Sequence, residues 1–272
     1  MGPSWWRTFP PARSTDCREA RRVLGPADSA ASWAAPPTTV RCGRRLVVRA
    51  TPTSPESADP GDPGGPDPGD HHSGDHGPGS HHPRARDRPG VSCADARDGD
   101  VVVRVGAGHA FGTGSHASTR LCLELLEGRA PGAATVLDVG CGTGVLGVAA
   151  LLLGAGSVRA IDVDPVAVEA TAVAAHRNGV SDRLTVDDSA LSDVAGTFDL
   201  VLANLLAPIL EDLGADLAAR LAPGGAMVVG GVLAEQVDRV VAALDILQLV
   251  DSAAEGDWVS LVLAPRPVRG RS

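Results

Sequence analysis

Lysine is absent from this sequence of 272 residues, so all 24 basic residues are arginine, and aromatic residues make up only 3%. Acidic residues number 33, and the formal net charge is −9. Binding of nucleic acid through bulk charge needs a basic face, which this balance does not favour. Because alanine, glycine, valine and arginine are abundant, we interpret the missing lysine as a compositional bias without functional meaning.

Long apolar runs are also missing. No run approaches the roughly 18 residues that a membrane-spanning helix needs, and the first residues lack the apolar core of a secretory signal. We therefore expect a cytoplasmic protein with no membrane segment. The cysteines are scattered, odd in number and without metal-ligand or CxxC spacing, which favours a reducing compartment. They are Cys17, Cys42, Cys93, Cys122 and Cys141.

Glycine and proline, with 33 and 21 copies, concentrate in one segment. Residues 55–90 contain no Val, Ile, Leu, Met, Phe or Trp, and so bury too little apolar surface to offset the entropy of ordering. The sequence predicts a short Arg-rich segment at 1–50, a disordered linker at 51–99 and a folded domain at 100–272. Histidines in the linker allow a metal site, but no coordination geometry is fixed there, and we favour a solvated spacer. They are His71, His72, His76, His81 and His82.

Apolar strands alternate with helical segments in the folded part. Seven strands are predicted within 135–264, with 246–250 and 257–264 forming a closing hairpin. This alternation is typical of an α/β fold with a mostly parallel, doubly wound, Rossmann-like sheet, whose ligands bind at the carboxyl ends of the strands. We also predict a turn at 223–225 and a helix at 233–244.

A glycine-rich turn follows the first of these strands and opens a helix. Its spacing is GxGxG, whereas a dinucleotide fingerprint would need a third glycine where Val145 stands. This favours S-adenosyl-L-methionine, whose ammonium group Asp138 could hold while its bulk packs on bare backbone. The alternative is a glycine turn that serves packing alone. The glycines are Gly140, Gly142 and Gly144.

Polar residues end the next strands. We expect Asp162 to bind the two ribose hydroxyls, since Asp164 already caps the following helix. Asp188 could approach the adenine amino group or be an ordinary turn residue. Asn204 ends the fourth strand, where its amide could accept a hydrogen bond from a target amine. The alternative for Asn204 is a cap on the helix that starts near Pro208.

The loop before the first helix of the folded part, residues 106–119, is rich in glycine and predicts a lid over the cofactor. His116 in this loop is either a catalytic base or a hydrogen-bonded scaffold residue. Phe111 is either a cofactor contact or a core residue.

Four stretches carry a resemblance: AFGTGSHASTRLCLELLE, VLDVGCGTGVLGVAALLLGA, AIDVDPVAVEATAVAAHRNGVSDRL and VLANLLAPIL. Together they resemble the ribosomal protein L-eleven methyltransferase family, over about residues 100–264. The resemblance implies methyl transfer from S-adenosyl-L-methionine to lysine and N-terminal amines of a large-subunit ribosomal protein at the stalk base. It implies cofactor contacts at Thr119, Gly140, Asp162 and Asn204, and we expect a monomer.

The chain departs from this family at its amino-terminal side. The family usually carries a substrate-recruiting domain there, for which residues 1–37 are too short and too poor in periodicity. We interpret residues 1–50 as a remnant or replacement of that domain. Two alternatives follow: a methyltransferase that acts on another protein, RNA or a small amine, and a cofactor-binding module without turnover.

Overall fold

A computed structural model describes residues 39–42, 44–52, 98–107, 114–129, 132 and 134–266. The predictions for the linker histidines, for Phe111 and for most of the glycine-rich lid lie outside the described residues.

A small sheet precedes the large one. It consists of β1 (Thr39–Arg41), β2 (Leu46–Pro52) and β3 (Val101–Ala107). The first two strands are antiparallel, and β2 pairs with β3 in parallel. Residues on both sides of the predicted linker therefore share one sheet.

The large sheet has seven strands: β4 (Thr135–Val139), β5 (Ser157–Ile161), β6 (Leu184–Asp187), β7 (Phe198–Asn204), β8 (Leu221–Leu233), β9 (Leu247–Glu255) and β10 (Trp258–Pro265). Their order is β6-β5-β4-β7-β8-β10-β9. The first five strands in this order are parallel, and β10 is antiparallel to both of its neighbours. This confirms the predicted fold class, including the closing hairpin.

Helices cover both faces of the sheet. They are α1 (Ala117–Glu127), α2 (Val145–Leu152), α3 (Pro165–Arg177), α4 (Ala207–Ala219) and α5 (Val237–Ala243). One apolar core joins the small sheet, α1, α2 and α3 to the large sheet, and a second core lies under α4 and α5. Among the described residues, no helix combines the length and apolar character needed to cross a membrane.

Two predicted elements differ from the structure. The turn predicted at 223–225 lies inside β8, because Phe198 pairs with Leu221 and Leu200 already pairs with Ala226, which makes this stretch a bulge in one long strand. The helix predicted at 233–244 is also wrong at its start. Pairing with Trp258 keeps Leu233 in β8, a single 3₁₀ turn follows at Ala234–Gln236, and α5 begins directly after it at Val237.

Candidate functional site

The candidate site lies where the strand order reverses. From β4 the chain proceeds to β5 and β6 on one side, and it then returns to β7 on the other side of β4. In open parallel sheets this switch point leaves a crevice beyond the carboxyl ends of the strands. The glycine turn after β4, Asp162 after β5 and Asn204 at the end of β7 all stand at this edge. The fold thus brings together three of the features predicted from sequence.

The glycine turn presents bare main chain towards the β7–α4 connection. Gly140 has φ +70°, and a Cβ atom built on it would collide with Cδ2 of Leu205. The N–H groups of Gly140 and Cys141 both donate to the carbonyl of Ile161, at 2.9 and 3.2 Å. The turn therefore packs closely against Leu205, which leaves no room for a side chain at Gly140.

Asp162 is half-buried and forms a hydrogen bond with the glycine turn. Its Oδ2 accepts from the Gly142 N–H at 2.9 Å, and its Oδ1 accepts from the Asp164 N–H at 3.0 Å. Asp164 caps α3 by accepting from the Val166 N–H at 2.9 Å, as predicted. Each carboxylate oxygen has two lone pairs, so Asp162 keeps acceptor capacity for a diol. Its contact with ribose stays a prediction.

Asp138 lies beneath the turn rather than in the crevice. It is 1% exposed, and its Oδ2 accepts from the Gly147 N–H at 2.9 Å. Its Oδ1 is buried without a hydrogen-bond partner among the described residues. Burial, with a smaller contribution from Asp162, raises the pKa of Asp138 to about 7. The carboxyl stabilises the first turn of α2 through its bond to Gly147, and its contact with the ammonium group of the cofactor stays a prediction.

Asn204 faces the first turn of α1. Its Nδ2 donates to Oγ1 of Thr119 at 3.3 Å, and Thr119 is 2% exposed. The alternative that Asn204 caps the next helix is wrong, because the N-cap of α4 is Leu206 and no side chain caps that end. The structure therefore joins two of the four residues that the resemblance implies at the cofactor.

His116 is the N-cap of α1. Its Nδ1 accepts from the Ser118 N–H at 3.3 Å, so in the neutral ring the hydrogen is on Nε2. Partial burial and the nearby guanidinium of Arg120 lower the pKa of His116. This is the scaffold alternative raised from the sequence, and the catalytic role of His116 stays a prediction.

Two contacts near His116 have no counterpart in the sequence predictions, one made by Trp258 and the other by Glu255. The His116 ring meets the Trp258 ring edge to face, with ring centroids 4.6 Å apart. Arg120 forms an ion pair with Glu255 of β9. Both partners come from the closing hairpin, and no local motif in the sequence marks them.

Two acidic residues stand at the end of β6, Asp187 as its last residue and Asp188 directly after it. Asp187 pairs with Arg159 of β5 at 3.2 Å, which fixes it on the sheet. Asp188 is exposed, and its approach to adenine stays a prediction. No group of three or more His, Cys, Asp or Glu in the part of the chain that the structure describes could hold a metal ion.

Comparisons with known proteins agree with this geometry. A family model described as "Ribosomal protein L11 methyltransferase (PrmA)" matches residues 88–266. A ribosomal protein L11 methyltransferase from Geobacter sp. (strain M21) is 42% identical over 173 residues, which cover 61% of this chain and 56% of that protein. Another from Dechloromonas aromatica (strain RCB) is 48% identical over 157 residues, 57% of this chain and 51% of that protein.

A solved structure extends the comparison. The crystal structure of ribosomal protein L11 methylase from Lactobacillus delbrueckii subsp. bulgaricus has a TM-score of 0.62 and 27% identity, and the match covers 84% of this chain and 98% of that chain. The chain spans a little over half the length of the two curated relatives. The resemblance and S-adenosyl-L-methionine as the cofactor, both predicted from the sequence, are confirmed. The chain belongs to the ribosomal protein L11 methyltransferase family.

Proposed function

We propose that this protein transfers methyl groups from S-adenosyl-L-methionine to lysine and N-terminal amines of ribosomal protein L11, at the base of the ribosomal stalk. The observation that carries the proposal is the convergence of the glycine turn, Asp162 and Asn204 at the carboxyl ends of three neighbouring strands. The names of the relatives support the substrate.

The residues of this chain would contribute by positioning the cofactor and the target amine relative to each other. S-adenosyl-L-methionine, when bound, supplies a methyl group that is already activated on a sulfonium. Asp162 would hold the ribose and the glycine turn would receive the rest of the cofactor. The Oδ1 atom of Asn204 would accept a hydrogen bond from the neutral target amine and so direct the lone pair of the amine nitrogen at the methyl, while Nδ2 stays on Thr119. Transfer would release S-adenosylhomocysteine and leave the proton of the amine to the solvent. Alignment of this kind contributes on the order of 7–11 kcal/mol.

We further propose that the protein acts in the cytoplasm as a monomer. Residues 1–50 would be a remnant or replacement of a substrate-recruiting domain, ahead of a catalytic domain at 100–272. The pairing of β2 with β3 supports a connection between the first segment and the catalytic part, since the two strands form one sheet.

Binding of S-adenosylhomocysteine, measured by calorimetry, tests the cofactor site. Asp162→Ala should lower the affinity at least about tenfold, because it removes the ribose acceptor and frees the Gly142 N–H. Asp182→Ala is the matched control, since Asp182 is exposed before β6 begins. Equal affinity in wild type and Asp162→Ala would remove Asp162 from the site.

Transfer of labelled methyl groups tests the activity. We expect the wild type to label purified ribosomal protein L11 and not the same protein with its amines blocked. Labelling of RNA or of other proteins in a lysate, without L11, would favour a different methyltransferase. Binding of S-adenosylhomocysteine with no labelling of any acceptor would indicate a module without turnover.

A further inference from the structure

A buried threonine lies behind the glycine turn. Thr171 is in the middle of α3 and is 0% exposed. A threonine hydroxyl inside a helix commonly turns to solvent or bonds back to its own helix. Here Oγ1 reaches across to the turn, where it donates to the carbonyl of Gly142 at 3.1 Å and lies 3.2 Å from Sγ of Cys141.

The methyl branch of Thr171 contacts the same turn. A Cβ atom built on Gly144 would lie 2.9 Å from both Cγ2 and Oγ1 of Thr171. Gly144 also has φ +75°, a conformation that other residues rarely adopt. α3 therefore packs directly against Gly144, and any side chain at this position would displace α3.

The Gly142 residue is consequently held on both of its main-chain polar groups. Its N–H donates to Asp162 at 2.9 Å, and its carbonyl accepts from Thr171 at 3.1 Å. One partner stands at the end of β5 and the other belongs to α3. The N–H and the carbonyl belong to the two peptide units on either side of Gly142, so loss of either bond would free one of these units to rotate. This would change the surface that the turn offers to a ligand.

We propose that Thr171 is a positioning residue, whose hydroxyl holds the glycine turn in the shape that receives S-adenosyl-L-methionine. The inference rests on the proposed function. Thr171 is fully buried behind the turn and so acts through it, without touching the cofactor. A turn that is already in its bound shape binds more tightly, because no ordering has to accompany binding.

Calorimetry with S-adenosylhomocysteine tests the role of the hydroxyl. Thr171→Val keeps the shape and removes the hydroxyl, which leaves the half-buried Gly142 carbonyl without its donor. We expect the affinity to fall about tenfold. Thr171→Ser keeps the hydroxyl and should stay within about threefold of wild type. Thr135→Val is the control. It removes a hydroxyl that bonds Asp199 at 2.9 Å, at the amino ends of the strands and so away from the glycine turn.

The outcomes separate the inference from the proposed function. A wild type that does not bind S-adenosylhomocysteine would contradict both. A wild type that binds, together with Thr171→Val of equal affinity, would overturn the positioning role alone, even if the variant has a lower Tm. An equal loss in Thr135→Val would overturn it as well. Should Thr171→Val not fold, Thr171→Ser and Thr171→Ala differ only by the hydroxyl, and equal affinities in that pair would reject the proposal.

Discussion

The side-chain amide of Asn204 is held within the protein through Nδ2, which donates a hydrogen bond to Thr119. Asn204→Asp keeps the shape but places a negative charge where the target amine is expected. An opposite charge favours the ammonium form of that amine and raises its pKa, so the rate of methyl transfer at neutral pH should fall about tenfold or more. The pH–rate profile should move to higher pH.

Rates at saturating cofactor between pH 6 and 10 measure this effect. Asn204→Ala is the comparison, because it lacks the charge and should be slow without a shift of the profile. A profile of Asn204→Asp that coincides with that of the wild type would mean that the amine does not approach this side chain.

The burial of the Asp138 carboxyl should make the stability of the protein depend on pH. Its pKa in the folded protein is about 7, against an ordinary value of 3.8 for an aspartate carboxyl. Between these two values the folded state binds more protons than the unfolded state, so this carboxyl lowers stability as the pH rises towards 7. Asp138→Asn removes the charge and keeps an acceptor for the Gly147 N–H.

The free energy of unfolding of Asp138→Asn relative to wild type should therefore increase with pH between about 4 and 7, by up to about 1.4 kcal/mol per pH unit, and level off above. Urea titrations at pH 5, 6, 7 and 8 measure the difference. A difference that is constant over this range would show that Asp138 has an ordinary pKa.

At the scale of elements, the sequence predicts best where one local signal decides the structure. The end of β7 at Asn204 matches its prediction, because an apolar run that stops at Asn204 has no competing pattern. The start of α3 follows from Asp164 and the proline after it. The start of α5 was predicted wrongly, because the pairing of Leu233 with Trp258 is a contact between distant residues.

The candidate site shows the same limit. Strand ends and glycine spacing predict that Gly140, Asp162 and Asn204 share one edge of the sheet, since parallel strands end together. They do not predict that Asp138 points beneath the turn, or that Thr171 of α3 bonds the Gly142 carbonyl. Both contacts depend on how a helix packs against the turn, and no local sequence pattern predicts that packing.

At the scale of the whole molecule, the small sheet is joined to the catalytic part by specific contacts. Asn178, after α3, bonds both main-chain groups of Arg104 in β3. Leu46 and Val48 of β2 are buried in the same core as α1 and α2. The small sheet is therefore part of the folded unit rather than an appendage to it.

Glu127, the last residue of α1, makes the other connection. Its two carboxylate oxygens accept from the backbone N–H groups of Arg44 and Arg45, both at 2.6 Å. Glu127→Gln replaces one acceptor by a donor that faces an N–H group, so we expect the free energy of unfolding to fall by about 2 kcal/mol. The affinity for S-adenosylhomocysteine should not change, because these contacts lie at the far end of α1 from Thr119.

Urea denaturation and calorimetry on the same preparations measure the two quantities. Glu124→Gln is the matched control, since Glu124 is exposed on the same helix. If Glu127→Gln lowers the affinity as much as it lowers the stability, the small sheet and the cofactor site form one cooperative unit. If stability falls and affinity stays, α1 supports the small sheet with its last turn and Asn204 with its first, independently of each other.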